Sequence, residues 1–381
     1  MKAGTARIAA LAAVLTLMAS CHGAGPEGAG TEGGLVPVTL RYPSAAYYGT
    51  RASDLEQTPG EVAVNTLDVL VYRADGSGAL DARHSATGAE LEARTVSLKV
   101  PFGRKSVYLV ANGPDGYLSK CSTEAGLRSI VSSLGDNSRD SFVMIGTPGG
   151  VVSLEPGKTS DFNVTLRRLA ARVSVRSVTA DYTSPAWNGH SLVIRRMALV
   201  NINPDAPLCH GDVTDAFGKA IDGRYSWPYP MGDGLEGFVS PAVLTDGELV
   251  LTGDSRLRDL TVYGMSGDGY ALYPSATGSG SWTGRALMYA MPNQRPDLHG
   301  MTKLVIETVL DGEIRWYSFE IPDIQPNTAY TFSSVTLLRP GNTNPNEPME
   351  TGVADVHIEV LDWETGEVLG SYNDRGWSCL G

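Results

Sequence analysis

Leu67-Asp68-Val69-Leu70-Val71-Tyr72-Arg73-Ala74-Asp75-Gly76-Ser77-Gly78 decides the fold. Leu67, Val69 and Val71 alternate with a period of two, and Leu70 and Tyr72 are apolar on the opposite face. A strand apolar on both faces belongs in the middle of a layered β structure, covered on each side. Asp75-Gly76 and Ser77-Gly78 supply turn chemistry, since glycine tolerates the positive φ of a tight hairpin. The same rhythm extends in both directions. Val36, Val38 and Leu40 alternate upstream. Downstream, Val96, Leu98 and Val100 alternate with Ser97 and Lys99. Val107, Leu109 and Ala111 run to the Asn112-Gly113-Pro114 turn, and Phe162, Val164 and Leu166 close the first half.

One segment breaks this period. Leu127, Ile130, Val131 and Leu134 fall on one face of a helix. Ser122 is placed to cap it, Glu124 suits its positive end, and Gly135-Asp136-Asn137 stops it. It is the one short helix expected, in an otherwise all-β chain. After Arg167-Arg168 a new alternation begins at Leu169, Ala171, Val173 and Val175, which puts a domain boundary near residue 168. Further strand patterns cover residues 192–202, 248–252, 260–264, 303–310, 313–321 and 330–338. Many short strands with Gly- and Pro-rich turns favour β-sandwiches.

Arg339 to Gly352 (RPGNTNPNEPMETG) is a Pro/Asn/Gly linker. Beyond it Ala354, Val356, Ile358 and Val360 alternate with Asp355, His357 and Glu359, and Asp362-Trp363 closes the run. Two readings stay open: a strand held away from its own domain and donated elsewhere, or a last strand that folds back into its own sheet.

The leader carries Lys2 and Arg7, then an apolar run from Ile8 to Met18, too short to span a bilayer. Met18-Ala19-Ser20-Cys21 reads as a lipobox, with Cys21 as the lipidated residue. The alternative is an ordinary secretory signal with an incidental cysteine. His22 to Gly34, rich in Gly, Ala and Glu, suits a flexible tether. No second apolar run reaches the length of a membrane span, so attachment to a bilayer rests on Cys21.

The 381 residues are a prior for two domains. Gly 44 and Pro 22 against 8% aromatic residues argue for a turn-rich β protein and against a helical bundle. A net charge of -12 repels phosphate backbones and excludes nucleic acid as a natural partner. The remaining cysteines, Cys121, Cys209 and Cys379, are widely spaced, and the histidines are scattered, so no metal site is expected. Gly264-Met265-Ser266-Gly267-Asp268 misses the nucleophile-elbow spacing by one residue, and no phosphate-binding loop is present. Neither an enzyme nor a cofactor is expected.

At this point the residues resemble a family. Thr50-Arg51-Ala52, the strand from Val64 to Tyr72 and the Ala74-Asp75-Gly76 turn are similar to the N-terminal domain of the Bacteroidetes fimbrillins, the major fimbrial subunit family. So are Val107 to Asn112 and Leu166-Arg167-Arg168-Leu169-Ala170-Ala171-Arg172-Val173. The second half adds Tyr289-Ala290-Met291-Pro292-Asn293, Pro326-Asn327-Thr328-Ala329-Tyr330 and Val360-Leu361-Asp362-Trp363.

The resemblance implies two transthyretin-like β-sandwich domains and a structural subunit of a type V pilus that supports adhesion. A lipoprotein precursor in the outer membrane would be cut by an arginine-specific protease between Arg51 and Ala52. The product would join a cell-surface fimbrium, with other fimbrial subunits and a host or bacterial surface receptor as partners. Loss of the N-terminal segment would open a groove. A neighbour's C-terminal strand, read here as Ala354, Val356, Ile358, Val360 and Trp363, would fill it. The expected layout is a signal peptide over 1–20, a tether and removable segment over 21–51, sandwich domains over 52–168 and 169–338, and a linker with a C-terminal strand over 339–381. The competing expectation is a permanently anchored surface lipoprotein that binds a glycan or a host protein through loop aromatics such as Trp187, Trp227, Tyr229 and Trp282. The cysteine at Cys379 is not part of a tidy stalk pattern.

Overall fold

The computed structural model describes residues 34–43, 57–182, 184–209, 242–245, 248–251, 255–272, 280–293, 301–321, 323–344, 347, 349–350, 352–364, 366–373 and 376–379. From Leu35 onward they form one compact unit of two all-β domains. In the N-terminal domain a three-stranded sheet holds Leu35–Arg41 between Thr95–Pro101 and Ser160–Asn163. It faces a larger sheet with strand order Arg167–Arg168, Met144–Gly146, Gly103–Ala111, Leu67–Arg73 and Leu80–Ser85. Val151–Leu154 pairs with the far end of Gly103–Ala111.

Leu67–Arg73 lies inside the larger sheet, and every residue from Leu67 to Tyr72 is buried. The two-faced apolar pattern has a simple cause. Leu67, Val69 and Val71 pack toward Val36, Val38 and Leu40. Leu70 and Tyr72 pack on the other side with Tyr108, Val110 and Leu127, in a cluster that runs on into the C-terminal domain.

The C-terminal domain repeats the layering. One sheet has the order Gly280–Ala290, Ala171–Ala180, Thr328–Leu337, Ala354–Asp362, Val368–Asn373 and Gly376–Cys379. The other has Val262–Gly264, Leu192–Val200, Thr302–Leu310 and Glu313–Ile321. Tyr317, Phe319 and Ile306 of one layer meet Phe332, Val335 and Ile358 of the other in a common core. The chain steps from Arg168 in the N-terminal sheet to Ala171 in the C-terminal sheet, close to the break seen in the sequence. The domains are also stitched by backbone: Val131–Ser133 pairs with Asp205–Pro207, and Leu208 N–H donates to the Ile130 carbonyl at 2.8 Å.

Two expectations are corrected. The helix is shorter than its apolar spacing: it spans Glu124–Arg128, and Thr123 rather than Ser122 caps it by accepting from Gly126 N–H. Val131–Ser133 leaves the helix because it pairs with a strand distant in sequence. Nor is the helix alone, because Gly88–Ala93 and Ser255–Thr261 are helical too. The latter takes the first residues of the strand expected over 260–264. These helices are too short for apolar periodicity to show.

Two readings were open for Ala354 to Trp363, and in this single chain the strand lies in its own sheet. Ala354–Asp362 is an inner strand of its own sheet, paired along its length with Thr328–Leu337 and on its other side with Val368–Asn373. Ile358, Val360 and Trp363 are buried. Alternation marks a strand with one covered face and says nothing about whose core covers it. The linker stays against its own domain: Asn342 pairs with Trp316, and Gly341 lies so close to the Trp316 backbone that a Cβ would collide with it. A chain ending at Gly352 should therefore lose its C-terminal domain, and Ile358→Ala should cost about 2–5 kcal/mol. Urea unfolding followed by tryptophan fluorescence measures both.

Candidate assembly site

Leu35–Arg41 fills the middle of a sheet although it precedes everything else in the fold. It pairs antiparallel with Thr95–Pro101 over its whole length and parallel with Ser160–Asn163 from Val38 to Arg41. Val36, Val38 and Leu40 point into the core, each exposed by 2% or less, while Leu35, Pro37 and Arg41 face solvent. Tyr42 follows them inward. Its N–H donates to the Arg94 carbonyl and its hydroxyl to the Glu90 carbonyl, each at 3.1 Å. Glu90 anchors the Gly88–Ala93 helix through a capping box with Thr87. The Thr87 backbone N–H, followed by His84, holds the Glu90 carboxyl down at about 2.

Without this strand the sheet has a slot flanked by two unpaired edges, roughly 10 Å apart at the usual strand spacing. Its floor is the apolar face of Val69, Val107 and Leu109. Burying the four inward side chains stabilises the domain by about 6–12 kcal/mol before ordering costs. Such a slot demands a replacement strand.

A second feature lies between the two domains. Glu61, inside the short Thr58-capped turn Pro59–Val62, is wholly buried. Its carboxylate accepts from Arg172 at 3.2 Å, from the Tyr289 hydroxyl at 2.8 Å and from Thr58 N–H at 2.7 Å. Arg168 donates to the Glu61 carbonyl at 2.7 Å and to the Glu364 carboxylate at 2.9 Å. Trp363 closes the cluster. It stacks on Tyr289 with centroids 5.9 Å apart, meets Phe142 edge-on, and lies under the Arg168 guanidinium at 4.7 Å and that of Arg172 at 5.5 Å. Gln57 Nε2 donates to the Trp363 carbonyl. Burial lowers the Arg172 pKa, against the pull of Glu61, and burial first, then Glu61, raises that of Tyr289. Gly60 has to be glycine, because a Cβ there would strike the Arg139 carbonyl and Asp140. We call this cluster the clamp.

Cys21, Arg51 and Ala52 lie outside the described residues, as do Trp227 and Tyr229; Pro43 and Gln57 are the nearest described residues flanking the cut site. Ala354, Val356, Ile358 and Val360 sit in their own sheet, away from any slot, and Trp363 belongs to the clamp. Among the loop aromatics, Trp282 is buried, and Trp187 packs between Tyr182 and His190. Cys121 and Cys209 are both buried. Among the described residues, no cluster of His, Cys, Asp and Glu could hold a metal ion, and no helix is long and apolar enough to cross a membrane.

Sequence reasoning missed Glu61, one acid among 42. It did quote Arg168, Arg172, Tyr289, Asn327 and Trp363 within separate motifs. The structure brings those motifs together: Asn327 accepts from Arg168 N–H at 3.2 Å, and its own carbonyl accepts from Trp363 N–H at 2.8 Å.

Residues 37–182 match the family described as major fimbrial subunit protein (FimA). That family is one of structural fimbrial subunits. No curated protein matches the chain. Solved structures share the fold at low identity. A fimbrilin from Porphyromonas gingivalis W83 is 13% identical with a TM-score of 0.56, covering 86% of this chain and 97% of its own. A candidate cell-adhesion protein from Bacteroides eggerthii is 17% identical with a TM-score of 0.55, covering 88% and 98%. Another from Parabacteroides distasonis is 14% identical with a TM-score of 0.57, covering 86% and 100%.

The clamp has a direct test. Glu61→Ala leaves Arg172 buried without its carboxylate and should cost about 3–5 kcal/mol, whereas Glu61→Leu combined with Arg172→Met should restore most of that loss. Chemical denaturation of the single and double variants measures the difference.

Proposed function

We propose that this protein is a fimbrial subunit delivered as a lipoprotein through Cys21, cut between Arg51 and Ala52, and assembled by strand exchange at the slot now filled by Leu35–Arg41. One observation carries this reading. The strand that completes the N-terminal core lies on the far side of Arg51 from the rest of the fold. A single cut there separates it covalently from the domain it completes. Until then it blocks the slot, so subunits stay monomeric before reaching the cell surface.

The donated element is better sought beyond Ala354–Asp362. Val368–Asn373 and Gly376–Cys379 form an antiparallel hairpin at the outer margin of the C-terminal sheet, joined to it only through Ala354–Asp362. Val368 and Leu369 are 46% and 48% exposed, so they contribute little to the core they lie beside. A hairpin in that position can leave at a fraction of the cost of an inner strand.

N-terminal sequencing of the surface-exposed protein should find Ala52 as the first residue, and Cys21→Ala should abolish acyl labelling of the precursor. A surface protein that still begins at Cys21 would instead favour the permanently anchored lipoprotein. Deleting residues 368–381 should stop fibre growth while the monomer keeps its two domains, in contrast to truncation at Gly352. Electron microscopy and circular dichroism of the cut proteins separate the two effects.

A further inference from the structure

We infer that the Gln57–Glu61 segment is a relay: it ties the state of the chain between Tyr42 and Gln57 to the root of the C-terminal hairpin. The segment touches both domains. Upstream it continues through residues 44–56 to the slot-filling strand, which is fixed at Tyr42. Downstream it is fixed by Glu61, which Arg172 and Tyr289 hold from the C-terminal domain and Arg168 from the last strand of the N-terminal sheet. Its first described residue, Gln57, donates to the carbonyl of Trp363.

Trp363 and Glu364 are where the C-terminal hairpin begins. Asp362 accepts from Gly366 N–H at 2.8 Å and donates to the Glu367 carbonyl at 2.9 Å, which closes the turn into Val368–Asn373. Hydrogen bonds from outside that turn help to hold it. Asn327 accepts from Trp363 N–H, Arg168 reaches the Glu364 carboxylate, and Gln57 reaches the Trp363 carbonyl. Asn327 immediately precedes the Thr328–Leu337 strand, and Arg168 lies in the last strand of the N-terminal sheet. Gln57, of these three, belongs to the segment adjoining the cut.

In the intact chain Gln57 is covalently continuous with the slot-filling strand. After a cut within residues 44–56 it lies in a free end, and ends fray back to their first firm anchor. That anchor is Thr58, whose N–H donates to the Glu61 carboxylate at 2.7 Å. Fraying therefore takes Gln57 and stops there. Trp363 keeps its stack on Tyr289 and its place under Arg168 and Arg172, so the domain junction survives. What is lost is one hold on the turn from which the hairpin departs. A cut on the N-terminal side thus loosens the C-terminal side of the same molecule. The use we assign to this relay, readying the hairpin for donation only in processed subunits, rests on the strand-exchange reading. The relay itself does not.

The test uses the full chain with a site for an exogenous protease inserted within residues 44–56, so it does not depend on cleavage at Arg51. Hydrogen exchange is compared before and after the cut. The peptide containing Leu361 to Glu364 should exchange about tenfold faster after the cut, the scale of losing one net hydrogen bond, while peptides from Val173–Val175 stay unchanged. Uncut Gln57→Ala should already exchange at the faster rate. Equal exchange at 361–364 before and after the cut overturns the relay. So does wild-type exchange in uncut Gln57→Ala, and so does a rise that spreads equally to Val173–Val175. Faster exchange at 361–364 without any fibre growth supports the relay and counts against strand exchange.

Discussion

The buried carboxylate of Glu61 is the interaction on which the arrangement of the two domains depends. A carboxylate without water is costly unless its charge and lone pairs are met. Here Arg172, Tyr289 and a backbone N–H meet them, and two of the three come from the C-terminal domain. The pairing is not optimised for stability, because Arg172 Nε and Trp363 Nε1 find no hydrogen-bond partner in the cluster. An apolar plug of the same volume would serve stability as well. The ionic arrangement adds geometry: only one placement of the Gln57–Glu61 segment satisfies it, and that placement requires a glycine at position 60.

Around this point the two sandwiches share one continuous core. Leu70, Tyr72 and Leu127 of the N-terminal domain belong to the same buried cluster as Val173, Tyr289 and Trp363 of the C-terminal domain. The separate N-terminal core, lined by Val36, Val38 and Leu40, lies on the other face of the Leu67–Arg73 sheet. That division matters for any exchange of the first strand. The core that opens is the one not shared, so the junction can persist while the slot is empty.

Much of the fold was legible in the residues. Period-two alternation located the central strand at Leu67–Arg73 and most of its neighbours, because the pleat forces side chains to alternate wherever one face is covered. The helix at Glu124–Arg128 was overextended because Ile130 and Leu134 keep a helical spacing while the backbone has already turned to pair with Asp205–Pro207. Ala354–Asp362 was legible as a strand but not as belonging to its own sheet, since a covered face has the same pattern whichever chain covers it. Glu61 was illegible for a different reason: a lone acid becomes a buried ion only through residues 111 and 228 positions away. The motifs from Leu166 to Val173, at Tyr289 and at Trp363 were visible as separate fragments of a family pattern. Their meeting in one cluster gives that pattern a physical cause.

The mixed pairing of Leu35–Arg41 has one more consequence. Thr95–Pro101 runs antiparallel to it and Ser160–Asn163 runs parallel, so the two walls of the slot run in opposite senses. Any strand lying between them, whichever way it points, finds one parallel and one antiparallel neighbour. The backbone therefore sets no polarity for an occupant. Direction and register are left to the side-chain pockets vacated by Val36, Val38, Leu40 and Tyr42, whose sizes read the identity of whatever enters.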